Sequence, residues 1–198
     1  SELEAELARR RLDYQLLQDA HARLERLSDL KLTQPMIGRN VTATIIAMSP
    51  NFWMRTVTIN RGRSDGVKPN MPVVNEEGLV GVVRDVVDHT ALVQLLVDPE
   101  FAAGARVRKS RHRGFVEGTG ELERLRLHLE NPEATVRKGD EIVTSGMPIG
   151  SLFPPGFVIG RVIEVQRDKF SQTFAVVAPN VQFDQLEEVV VLQEIENI

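Results

Sequence analysis

Ser145 lies in GDEIVTSGMP, residues 139–148, which combine a Gly-Asp pair, an isolated Ser-Gly and a proline. A serine hydroxyl on such a turn could attack an acyl carbon if an imidazole took its proton and a carboxylate oriented that imidazole. The chain has four histidines. His21 falls in a helical pattern, His112 in a charged connector, and His128 between Leu127 and Leu129 on the solvated side of a strand pattern. His89, in VVDHTALV with Asp98 downstream, is the one candidate base. The glycine that would open a nucleophile turn two residues before the serine is replaced by Val143. Loose motif matches of this kind are often false. Turn hydroxyls bonding their own backbone account more economically for Thr144 and Ser145.

Other chemistries find less support. The chain contains no cysteine, which excludes disulfides, thiolate metal sites and cysteine nucleophiles. Glu76-Glu77 reads as a turn and Glu187-Glu188 as a solvated strand end, with no apolar surroundings to raise a carboxyl pKa. No His, Asp and Glu spacing suggests a metal, and no glycine loop opens a helix to hold phosphate. The expectation is therefore no enzyme and no cofactor. A net charge of −4 gives no general attraction to nucleic acid. The basic run from Arg106 through Arg108, Lys109, Arg111 and His112 to Arg113 reads as a solvated hairpin or linker. A ligand there would be anionic lipid headgroups or an acidic partner surface. Two apolar stretches stand out. MPIGSLFPPGF (147–157) frames Leu152, Phe153, Pro154 and Phe157, and NFWM (51–54) carries the only tryptophan. Each would either plug a barrel end or form an exposed partner-binding patch.

The elements that carry these residues divide the chain in two. Residues 1–32 lack Gly and Pro and are rich in Leu, Glu and Arg, which predicts a helix of roughly 48 Å, stopped by Pro35 and Gly38. Leu3, Leu7, Tyr14, Leu17 and Leu24 follow a three-four spacing, expected to be the self-association seam of a coiled-coil stalk over 1–33. Arg10, His21 and Ser28 weaken that seam, and a helix packed on its own domain is the other reading. From Val41 the texture becomes β-branched runs punctuated by Gly, Pro and Asn. Four blocks then recur in order. NVTATIIAM with MRTVTINRG is answered by RGFVEGTG with ERLRLHLEN, VKPNMPVVN by VRKGDEIVT, GLVGVVRDV by GFVIGRVIEV, and LLVDP by VVAP. Offsets of about 60 to 80 residues argue for two copies of one all-β module of about six strands each. The expected fold is mainly β: an N-terminal coiled-coil helix followed by two small β-barrels, over 40–110 and 111–196, with strand exchange between them left open. Gly78, Gly81, Gly156 and Gly160 inside strand patterns would mark bulges or barrel corners.

With a rod-like helix, duplicated β-modules and the blocks RGRSDGVKPNMPVVNEEGLVGVV and VRKGDEIVTSGMPIGSLFPPGFVIGRV, the chain resembles the rod shape-determining protein family MreC. The resemblance begins near Asn40 and rests most on the ordered GD, TSG, FP and G-x-V-x-G-x-V elements of the second block. It implies barrels distantly similar to the chymotrypsin fold but without a working site. It also implies a single-pass protein of the bacterial inner membrane, anchored by an upstream helix, with this fragment on the extracytoplasmic side. The implied role is a non-catalytic scaffold of cell elongation. It would self-associate as a homodimer or filament, bind and activate the elongation-specific penicillin-binding transpeptidase, and work with MreD-type and MreB-type shape proteins. Nucleic acid is not among the implied partners. Two other functions compete. A chymotrypsin-like hydrolase would use Ser145 and His89. A periplasmic adaptor of an export system would explain VRKGDEIV as a lipoyl-like turn, but needs a helical hairpin that this chain lacks.

Overall fold

A computed structural model describes residues 15–16, 18–20, 39–49, 51, 53–147, 152–167, 169–170 and 172–193. The chain forms two compact units, Ser1–Pro35 and Met36–Ile198. In the first, residues 15–16 and 18–20 are helical and exposed. Leu3, Leu7, Tyr14, Leu17 and Leu24 lie outside the described residues.

Among the described residues the second unit has twelve strands. These are β1 (Asn40–Met48), β2 (Thr56–Ile59), β3 (Pro72–Asn75), β4 (Gly78–Val86), β5 (Ala91–Leu95) and β6 (Ala102–Val107). The second half supplies β7 (Arg113–Gly118), β8 (Leu125–Leu129), β9 (Glu141–Thr144), β10 (Val158–Arg167), β11 (Thr173–Pro179) and β12 (Glu188–Leu192). On β6 the buried Ala103, Ala105 and Val107 alternate with the exposed Ala102 and half-buried Arg106, giving that strand one face for a barrel interior, whereas β3 is buried along its whole length. All pairings are antiparallel, and two closed barrels result, ordered β1-β12-β3-β4-β5-β2 and β10-β11-β8-β7-β6-β9.

The two rings have the same strand order when β1, β2, β3, β4 and β5 are matched to β7, β8, β9, β10 and β11. The sixth position is filled reciprocally. After β5 the chain crosses to place β6 in the second barrel, and after β11 it returns to place β12 in the first. This corrects the expected boundaries of 40–110 and 111–196. Residues 102–107 belong to the second barrel and 188–192 to the first, because the repeat unit of the sequence is not the closed unit of the fold.

Turns are duplicated too. Asn70 (φ 70°) and Gly139 (φ 92°) hold the same left-handed position before β3 and β9. Asn70 N–H donates to Val83 O at 2.8 Å and Gly139 N–H to Val162 O at 2.8 Å. Gly and Asn are the residues that reach this conformation at least cost. Inside β4, a Cβ on Gly81 would lie 1.9 Å from Gln94 O of β5, and one on Gly160 of β10 would lie 2.0 Å from Ala178 O of β11.

Each crossing is pinned by an acid. Asp98 is 2% exposed and accepts from Arg55 N at 2.6 Å, Glu100 N at 2.8 Å and Gln94 Nε2 at 3.0 Å. Arg55 in turn donates from Nε to Gly120 O of the second barrel at 2.8 Å. At the return crossing Glu77 accepts from Gln182 N at 2.8 Å and, through its carbonyl, from Asn180 Nδ2 at 2.6 Å.

Asp98→Ala would leave those N–H donors without their buried acceptor and is expected to lower stability by about 3 kcal/mol, measured by urea unfolding. In the same assay Gly81→Ala should cost about 3 kcal/mol through backbone overlap. Gly139→Asn should cost less than Gly139→Ala, since the first repeat already places Asn at that turn.

Candidate functional site

The hydrolase constellation is not assembled. Ser145, just after β9, accepts from Met147 N at 3.1 Å, and its own N–H donates to Gly104 O. His89 sits in the β4–β5 turn of the other barrel with Nδ1 3.2 Å from Ser64 Oγ, and Asp98 is committed to the crossing between barrels. Among the described residues no group of three or more His, Asp or Glu could hold a metal.

Thr144 explains what the Ser-Gly segment does. Wholly buried, its hydroxyl donates to Pro154 O at 2.6 Å and accepts from Phe157 N at 2.9 Å. Gly156 N donates to Thr144 O at 2.9 Å. These bonds draw the 153–157 loop inward. Phe153 and Phe157 are each 4% exposed, Pro154 is buried, and the Phe153 ring lies 5.6 Å from that of Phe101. Of the expected partner-binding residues only Leu152 reaches solvent. For Phe153, Pro154 and Phe157 the expectation of an exposed patch is corrected: they are buried, since burying two aromatic rings gains more than exposing them to water. The other apolar stretch behaves differently. Trp53 is 84% exposed, held by an Asx turn in which its N–H donates to Asn51 Oδ1 at 3.0 Å. Met54, and Met48 and Ile46 of β1, are exposed on the same hairpin.

The second barrel carries an aromatic row that the sequence did not reveal. Phe115 of β7, His128 of β8 and Phe174 of β11 are direct register partners. Phe115 stacks on His128 with centroids 4.8 Å apart and planes at 20°, and His128 meets Phe174 at 6.3 Å. Arg126 lies over the Phe174 ring, 4.9 Å from its centroid. Glu117 accepts from His128 Nε2 at 3.0 Å and from Arg126 Nη1 at 3.4 Å. The result is a pre-ordered outer face: three flat rings across adjacent strands, fixed at one edge by a carboxylate and a guanidinium. Fixed rings lose little side-chain entropy on contact with a partner. Each ring follows or precedes an inward residue on its strand, Val116, Leu127 or Ala175, so period-two counting would have found the face once the strand order was known.

The basic run forms the β6–β7 hairpin. Arg108 pairs with Glu141, which also lies 3.6 Å from Arg161. No described helix is long and apolar enough to cross a membrane.

Known proteins share this arrangement. A family profile described as "Rod shape-determining protein MreC, barrel core" matches residues 45–193. The chain is 35% identical over 164 residues to the cell shape-determining protein MreC of Geobacillus stearothermophilus, covering 77% of this chain and 56% of that protein. Against its counterpart in Escherichia coli the identity is 30% over 148 residues, covering 75% and 39%. The chain thus spans about half the length, or less, of these curated relatives. Among solved structures, MreC from Pseudomonas aeruginosa is similar with a TM-score of 0.72 at 30% identity, covering 78% of this chain and 99% of that one. A complex between Penicillin-Binding Protein (PBP2) and MreC from Helicobacter pylori shares the fold with a TM-score of 0.57 at 16% identity, covering 79% and 100%. The profile match takes in all or part of every strand from β1 to β12, and the chain therefore belongs to the rod shape-determining protein MreC family.

Proposed function

We propose that this cell shape-determining chain is a non-catalytic scaffold of bacterial elongation that binds the elongation-specific penicillin-binding transpeptidase through the outer face of its second barrel. The observation that carries this reading is the Phe115–His128–Phe174 row, whose central ring is held by Glu117. Immobilised aromatics at a surface are the usual anchors of protein interfaces, and here Phe115 is exposed while His128 and Phe174 are half-buried. The solved complex that shares this fold pairs its MreC with a penicillin-binding protein, which makes a transpeptidase the first partner to test. Leu152 is a second contact candidate, with Phe153, Pro154 and Phe157 as its buried support. Activation would follow only from tighter binding to the active than to the inactive arrangement of the enzyme.

Self-association belongs to the same reading. A stalk joined through Leu3, Leu7, Tyr14, Leu17 and Leu24 would raise the local concentration of barrels, so that weak barrel contacts extend into filaments. An upstream membrane helix would hold the fragment at the outer side of the inner membrane, beside MreD-type and MreB-type proteins.

Phe115→Ala combined with Phe174→Ala should weaken transpeptidase binding by about tenfold or more while leaving the urea midpoint nearly unchanged, since neither ring fills the core. Biolayer interferometry against the immobilised enzyme measures it, and undiminished binding by the double variant would remove this face from the proposal. Deleting residues 1–33 should lower the mass found by sedimentation equilibrium. An unchanged mass would assign self-association to the barrels.

A further inference from the structure

The β6–β7 hairpin concentrates charge that the rest of the fold does not neutralise. Residues 106–113 contain five Lys or Arg and no Asp or Glu, in a chain of net charge −4. Arg106 and Arg113 are direct cross-strand partners, an arrangement in which like charges destabilise a sheet. The nearest acids are already used or stand apart. Glu141 is shared by Arg108 and Arg161, Asp140 accepts from Arg137 N, and Glu130, which donates its N–H to Arg113 O, forms no ion pair among the described residues. Among the described residues no carboxylate pairs with Arg106, Lys109, Arg111 or Arg113.

Arg106 is the centre of this imbalance. The side chain as a whole is only partly covered, but its Nε is shut from solvent and has no hydrogen-bond partner. Burial, with repulsion from Arg111 and then Arg108, pulls its pKa below the ordinary arginine value. Arg111 adds a second cost, holding a left-handed backbone (φ 64°) at a position where Gly or Asn would be relaxed. An oxyanion bound at the outer edges of these guanidiniums relieves the repulsion, because guanidinium N–H groups match tetrahedral oxygens bidentately and the negative charge screens the cluster.

We propose that the β6–β7 hairpin is a binding site for a phosphate-type oxyanion, with Arg106, Arg111 and Arg113 as its donors. Arg106 supplies the innermost guanidinium, Arg113 faces it across the strand pair, and Arg111 closes the site from the turn. The same phosphate chemistry is offered by a lipid headgroup and by a soluble phosphodiester.

Thermal unfolding of the 198-residue chain in inorganic phosphate against chloride of equal ionic strength tests the site. Phosphate should raise Tm by about 5 °C at roughly 100 times its Kd, and NMR should show its amide shifts concentrated in residues 106–113. Arg111→Gly removes a charge where glycine suits the backbone. It should therefore keep or raise Tm in chloride while weakening phosphate binding about tenfold. Arg106→Gln should weaken it likewise. No phosphate effect on Tm, shifts spread over the whole surface, or equal responses from wild type and Arg111→Gly would overturn the proposal. Cosedimentation with vesicles of equal parts phosphatidylglycerol and phosphatidylcholine, lost with Arg111→Gly and absent with phosphatidylcholine alone, would identify the lipid source. Phosphate binding without vesicle binding would identify a soluble phosphodiester.

Discussion

Neither barrel can close without a strand from the other half of the chain: β12 fills the gap between β1 and β3, and β6 the gap between β7 and β9. An open six-strand position would expose two rows of unpaired N–H and C=O groups, a costly and aggregation-prone edge. Reciprocal exchange removes four such edges at once and makes the integrity of each barrel conditional on the other. The acids at the crossings follow from this constraint. A chain leaving one barrel for another must carry backbone donors through a buried zone, and Asp98 meets those of Arg55 and Glu100 where no ladder can.

The same constraint separates interior from surface chemistry. Hydroxyls and carboxylates that look reactive in the sequence, Thr144, Ser145, Glu77 and Asp98, are occupied in turning the chain and seating loops. On the outward rows two kinds of surface stand out, a flat aromatic row on β7, β8 and β11 and a cationic tip joining β6 to β7. They are adjacent, since Arg113 and Phe115 point outward from the same strand two residues apart. For the proposed scaffold role this arrangement lets an apolar contact and an electrostatic one be tuned separately, the second falling with ionic strength.

Much was written plainly in one dimension. β-branched runs, turn residues and the ordered repetition of four blocks specify two small all-β modules, because strand alternation and left-handed turns are local properties. Asn70 and Gly139 occupy one turn in two copies for that reason. Local sequence also carried the resemblance to the family, through the GD, TSG and FP elements whose spacing is that of a strand, a buried hydroxyl and the loop it draws in. What could not be read was any quantity set by pairing between distant segments. The exchange of β6 and β12 is decided by which closure satisfies all edges. Phe153 and Phe157 turn inward because Thr144, separated in sequence by the loop, bonds that loop. Phe115, His128 and Phe174 become one surface only when β7, β8 and β11 are laid side by side. Composition and periodicity fix which way a residue faces along its own strand. Only tertiary structure decides which strand lies next to it, because register and neighbour are settled by hydrogen bonds between residues far apart in the chain.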